Sequence, residues 1–227
     1  MKTLLFTKKR IVMFVGGYGS GKTEVAVNYT LRSCDAVPRL SIADLDIVNP
    51  YFRSREQISL FAARGIDVIA PAGGLATADL PALPPQIRNV LVESDSYAVF
   101  DIGGDDVGAR VLGQYRHLVP QDDYEMWFVL NICRPFSQAV QPTVELLRSI
   151  EATSRLKVTG LVNNSNLMRY TDLSLLRRGE QAALEVAEVS AVPLVFNSVV
   201  EELAAEAGSL LQKPILPMHL HMKRPWE

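Results

Sequence analysis

Eight consecutive residues constrain this chain more than any others: Gly16-Gly17-Tyr18-Gly19-Ser20-Gly21-Lys22-Thr23. They match G-x-x-x-x-G-K-[ST] in full. Before them lies a short, continuously apolar run, Ile11 to Val15, and an amphipathic stretch follows, Lys22 to Arg32. A strand feeding a glycine-rich turn that opens a helix is the setting in which such a turn cradles phosphate. Glycines let the backbone take positive φ and come close to the anion. Successive N–H groups and the helix dipole then face it. The binding candidates are therefore Gly17, Tyr18, Gly19, Ser20, Gly21, Lys22, Thr23 and the adjoining Glu24. Lys22 is placed to reach the β/γ oxygens, and the Thr23 hydroxyl to ligate Mg²⁺.

The strand–helix alternation continues along the chain. Apolar runs at 11–15, 40–43, 66–69, 97–100, 127–130, 157–162 and 193–196 read as strands. Stretches over 22–32, 53–64, 86–94, 107–117, 137–153, 173–188 and 200–211 read as helices. This rhythm predicts an α/β fold: a mostly parallel central sheet of about seven strands, Rossmann-like, with helices on both faces. Residues 71–85 read as a loop rich in Pro, Ala and Gly. The tail from 214 to 227 carries three prolines and reads as a segment that packs on the surface or crosses to a partner. A single domain over 1–227 accounts for the whole pattern.

Composition limits the function classes. With 227 residues, 48% of them hydrophobic and 21% charged, the chain can build a full core without disulfides. Its 23 Lys and Arg against 25 Asp and Glu leave a net charge of −2, which argues against a nucleic-acid partner. Lys8-Lys9-Arg10 interrupts the N-terminal apolar residues, and no window approaches the roughly 18 apolar residues of a membrane span. The expectation is a cytoplasmic protein. Cys34 and Cys133 form no metal spacing and read as buried structural thiols. His219 and His221 read as part of a surface tail.

In open parallel sheets, ligands bind beyond the carboxyl ends of the strands. Asp44, Asp46, Asp101 and Asp105 fall at or just after such ends. Asp101, followed by Ile102-Gly103-Gly104, can hold a magnesium-bound water opposite Thr23. Gly104 is then placed to meet a γ-phosphate through its N–H and to act as a pivot. Of Asp44 and Asp46, one can support Mg²⁺ while the other orients an attacking water; both as solvated turn residues is the alternative.

Together, Gly16–Thr23, Ala43-Asp44-Leu45-Asp46, Phe100-Asp101-Ile102-Gly103-Gly104-Asp105 and Leu161-Val162-Asn163-Asn164 resemble the SIMIBI P-loop nucleotidases. That class includes the MinD/ParA, CobQ/CobB and nitrogenase-iron-protein relatives. The resemblance spans about residues 10–210 in order and spacing. It implies a magnesium shell of Thr23, Asp44 and Asp101, with Asp46 positioning the hydrolytic water. Lys22, Asp46 and Gly104 become the catalytic set. Asn163 or Asn164 would bond the base, and the stretch from Val192-Pro193 to Glu202 would wrap its other side. One departure stands out: the second lysine of ParA-like loops is replaced by Gly17, so a lysine acting across a dimer does not carry over. Arg53, Arg55 and Arg110 are the substitute candidates, each more simply read as solvated.

The segment Asn163-Asn164-Ser165-Asn166 carries no carboxylate to accept from the guanine N1–H and N2–H₂. Amides suit the adenine N6/N7 edge, which favours ATP over GTP. The expected function is a Mg²⁺-dependent ATP-binding switch that hydrolyses ATP to ADP and passes a conformational change to a protein partner or second copy, leaving a homodimer open. The alternative is a small-molecule kinase or a ligase of the CobQ/dethiobiotin-synthetase type. Its acceptor would sit near Arg53, Arg55 and the 71–85 loop. A partitioning ATPase ranks last, because Pro214 and Pro217 break any basic C-terminal helix.

Overall fold

The computed structural model describes residues 6–46, 58–69, 85–104 and 106–221, with backbone only at 106 and 107. Tyr51, Phe52, Arg53, Arg55, Asp105, Trp226 and most of the 71–85 loop lie outside the described residues.

The strands are β1 (Ile11–Val15), β2 (Leu40–Leu45), β3 (Asp67–Ile69), β4 (Tyr97–Ile102), β5 (Tyr124–Leu130), β6 (Gly160–Asn163), β7 (Leu194–Val200) and β8 (Ile215–Met218). The helices are α1 (Lys22–Ser33), α2 (Ile58–Ala62), α3 (Pro85–Val92), α4 (Asp106–Gln114), α5 (Val140–Ser154), α6 (Leu173–Ser190) and α7 (Glu201–Leu210). All pairings are parallel, in the order β3-β2-β4-β1-β5-β6-β7-β8. The expected α/β sheet is present, with eight strands among the described residues where about seven were expected.

The eighth strand lies in the tail expected to pack on the surface. Leu216 and Met218 are buried, and Val199 registers with Pro217 on β7. Proline punctuation hid it. Pro217 lacks an N–H, but at a sheet edge no neighbouring strand asks for one.

Period-2 alternation decides which helix covers which face. Ile11, Met13 and Val15 pack with Phe100, Phe128 and Leu161 beneath α3, α4, α5 and α6. Val12 and Phe14 point the other way, joining Ile42, Trp127 and Phe196 beneath α1 and α2. Both faces being covered explains why β1 reads as an unbroken apolar run. On the α1 face, Tyr29 stacks edge-on against Phe14 and Trp127 at 5.5 and 5.2 Å between ring centroids. Burial pushes the Tyr29 hydroxyl up to about 12. Cys34 and Cys133 are half-buried rather than buried, and neither forms a disulfide.

Candidate functional site

The sheet order reverses direction at β1, which sits between β4 and β5. A crevice opens beyond the carboxyl ends of the strands at such a switch point. β1 leads into the glycine loop there, and β2 and β4 bring their acidic ends alongside. Asp44 and Asp101 are register partners on these neighbouring strands, and Phe14 of β1 registers with Asp101. Alternation turns both carboxylates toward the α1 face, where Lys22 and Thr23 begin the helix. Both strands run past their aspartates, to Leu45 and Ile102, so the carboxylates belong to the sheet rather than to a turn.

The loop is held in shape by donors on its outward carbonyls. Lys22 Nζ donates to Gly17 O at 3.1 Å, Arg134 Nε to Gly19 O at 3.0 Å and Asn164 Nδ2 to Ser20 O at 2.7 Å. Gly21 precedes the helix with φ +87, and a Cβ there would lie 2.2 Å from Asn164 Nδ2, so only glycine fits. At Gly17, the site of the absent second lysine, a Cβ would meet Leu146 Cδ2 at 3.2 Å and Phe136 Cβ at 3.6 Å. A side chain at 17 would be crowded by Leu146 of α5 and by Phe136 of the β5–α5 connection. Tyr18 stands 67% exposed at the rim, and Ser20 is buried with an Oγ that makes no hydrogen bond.

Gly104 closes in from the β4 side. A Cβ there would lie 2.7 Å from Lys22 Nζ and 2.9 Å from Tyr18 N. The expected switch glycine thus touches the loop and the catalytic lysine candidate. Asp46 follows β2 half-buried, its N–H donating to Asp44 Oδ1 at 3.1 Å. Arg110 is exposed on α4.

Asp101 is 1% exposed, and neither carboxyl oxygen makes a regular hydrogen bond. Burial first, and then the charge of Asp44, push it up to about 8, against the pull of the Thr23 hydroxyl and Lys22. Buried carboxyl oxygens beside a threonine hydroxyl are hard oxygen donors that fit Mg²⁺. Among the described residues no three His, Cys, Asp or Glu side chains converge on a metal position. The arrangement suits a cation that keeps waters and phosphate oxygens, rather than an all-protein cage.

The base side differs from expectation. Asn163 is 1% exposed with its amide engaged at both ends: Nδ2 donates to Asn197 Oδ1 at 2.8 Å, and Oδ1 accepts from Ser165 N at 3.1 Å. It holds the loop and does not face the cleft. Asn164 ties the glycine loop to β7, with Oδ1 accepting from Ser198 Oγ at 2.7 Å. Pro193 is misplaced: it precedes β7 and is exposed at the amino ends of the strands, opposite the phosphate loop. Of the stretch expected to wrap the base, only its far part, from Ser198 onward, reaches the correct end of the sheet. Sequence reading missed Arg134, Ser198 and Glu180. Each acts through partners 17 to 115 residues away, and no local pattern marks them.

No family model and no curated protein matches this chain. Solved structures do. The signal recognition particle receptor FtsY of Elizabethkingia anophelis, in complex with GDP, is 16% identical, with a TM-score of 0.55 over 86% of this chain and 58% of that one. Chloroplast FtsY from Physcomitrella patens is 15% identical, with a TM-score of 0.53 over 85% and 59%. The signal recognition particle 54 kDa protein of Aeropyrum pernix K1, in complex with GDP, is 19% identical, with a TM-score of 0.52 over 83% and 41%. The fold is that of the SIMIBI class of P-loop NTPases. The chain spans less than two thirds of the length of these matches. No helix among its described residues is long and apolar enough to cross a membrane.

Proposed function

We propose that this chain is a Mg²⁺-dependent ATP-binding switch that hydrolyses ATP to ADP and transmits the change to a partner. One observation carries the reading. A complete phosphate loop opens α1 directly beside a buried Asp101 carboxyl whose two oxygens make no regular hydrogen bond. A buried ionisable group in that state is strongly disfavoured unless something completes it.

The loop N–H groups and the α1 dipole bind the phosphates, and Lys22 leaves Gly17 O to meet the β/γ oxygens. Thr23, Asp44 and Asp101 hold the cation, which neutralises phosphate charge when bound. Asp46, fixed to Asp44 through its own N–H, orients the attacking water. Gly104, pressed against Lys22 and Tyr18, reports the γ-phosphate to the segment that follows β4. Catalysis by such a site is mainly positioning and charge stabilisation.

Adenine is the proposed base. The first carboxylate after β6 is Asp172, and it caps α6 by accepting from Leu175 N at 2.7 Å. One of its oxygens is therefore engaged at the helix cap rather than offered to the guanine N1–H and N2–H₂ edge. The FtsY and 54 kDa proteins hold GDP, so the base is the part to test first. Titration with ATP and GTP in Mg²⁺ should show ATP binding at least about tenfold tighter, roughly the value of one lost charged hydrogen bond. Tighter GTP would overturn the base assignment, and binding of neither would overturn the function.

A further inference from the structure

Three polar residues form a stripe on α1: Glu24, Asn28 and Arg32, each one turn from the next. All three bond to the backbone of the C-terminal segment. Arg32 Nε donates to Pro217 O at 3.0 Å. Asn28 Nδ2 donates to His219 O at 2.9 Å, and its Oδ1 accepts from His219 N at 2.8 Å. Glu24 Oε1 accepts from His221 N at 2.6 Å. The match is geometric. Four helical residues rise about 6.0 Å, and two extended residues about 6.6 Å. A stripe at i, i+4 and i+8 thus meets alternate residues of an extended chain running antiparallel to the helix. The last tie lies beside Thr23, at the phosphate end of α1.

The other end of the same segment is fastened to the base side. Glu180 on α6 is 3% exposed and accepts from Gln212 N at 3.0 Å and Lys213 N at 2.9 Å. It also accepts from Asn197 Nδ2 at 2.7 Å, and Asn197 in turn accepts from Asn163 Nδ2. A carboxylate only accepts, so Glu180 fixes the direction of the whole amide chain, through Asn163 to the Ser165 N–H beyond β6.

We infer that residues 211–221 are a strap joining the phosphate half of the cleft to its base half, with Asn28 and Glu180 as positioning residues at its two ends. The functional consequence rests on the proposed nucleotide site; the strap itself rests on the hydrogen bonds above. It holds α1 at the spacing from the β6 and β7 ends that a whole nucleotide needs. A bare triphosphate chain needs only the loop.

The test uses the full chain, with Asn28→Ala, Glu180→Gln and both together. Affinity for ATP should fall about tenfold in each single variant, the worth of one or two buried hydrogen bonds. Affinity for tripolyphosphate should stay within about twofold of wild type. The double variant should lose no more than the weaker-binding single, because both cut the same strap. Equal loss for tripolyphosphate, full additivity or unchanged ATP affinity each overturns the inference. A second readout needs no nucleotide. In Glu180→Gln, the His219 and His221 amides should exchange with solvent at least about tenfold faster, the far end opening when the near end is released. Unchanged exchange there also overturns the strap. If Glu180→Gln does not fold, Asn28→Ala reports in reverse, through the Gln212 and Lys213 amides. Wild-type protein that binds neither ATP nor GTP would sink the proposed function, and the exchange result would still decide the strap.

Discussion

The two halves of the cleft are built on opposite plans. On the phosphate side, polar groups await a partner: the Asp101 oxygens and Ser20 Oγ are buried and make no hydrogen bond of regular geometry. On the base side, every amide is already committed. Asn163 bonds Asn197 and Ser165, while Asn164 bonds Ser20 and Ser198. The first half leaves buried polar groups with little hydrogen bonding, and the second is a closed hydrogen-bonded scaffold. Substitutions on the phosphate side should therefore change chemistry more than stability, and those on the base side should do the reverse.

The largest expected effect comes from Asp101→Asn. Hydrolysis should fall by about three orders of magnitude, as when preorganised charge stabilisation is removed. The ligand-free variant should lose little stability near neutral pH and gain on wild type as pH rises, because the amide never has to ionise in the buried site. A lower melting temperature with turnover intact would break the comparison. Next is Gly104→Ala. Its methyl group would meet Lys22 Nζ and Tyr18 N, and turnover should drop about a hundredfold, an ångström-scale displacement of the catalytic group. Nucleotide affinity should change less than turnover, which single-turnover kinetics would separate.

The pH dependence of stability follows from the same carboxyl. Asp101 is raised to about 8 when folded, above its ordinary value, so the folded state binds the extra proton. Its contribution is fully present below about pH 4 and is lost as pH climbs toward 8. Melting temperature without ligand should decline across that window, and the Asp101→Asn variant should flatten the decline. An equal slope in the variant would assign the effect elsewhere. The smallest effect belongs to the scaffold. Ser198→Ala removes one acceptor bond from Asn164 and should cost about 1 kcal/mol of stability while leaving the ATP:GTP preference unchanged. A change in that preference would make the base side a reader rather than a scaffold.

The same contrast explains what was legible in the sequence. The phosphate side is encoded locally: eight consecutive residues and two aspartates at strand ends specify it, because close approach demands glycine and strand ends place charge. The base side is assembled from Asn163, Asn197, Glu180 and the C-terminal segment, which meet only after the sheet forms. Asn163 was legible as a strand-end amide but not as one turned inward, since its direction is set by Glu180 on another element. Pro193 was read as a base contact but precedes β7, at the end of the sheet opposite the glycine loop. β8 escaped because edge strands tolerate the prolines that disqualify central ones. The absence of a side chain at residue 17 was visible, but the neighbours that a Cβ there would meet, Leu146 and Phe136, were not.

In the proposed function, residues 16–23 bind the phosphates of a nucleotide with Lys22 as their principal cation. Isothermal titration of Mg²⁺-ATP into wild-type protein and Lys22→Ala tests it most directly. The wild type should show one site per chain, and the variant should bind at least about a hundredfold more weakly, in line with loss of a buried charge-assisted contact. Undiminished binding by Lys22→Ala would contradict it.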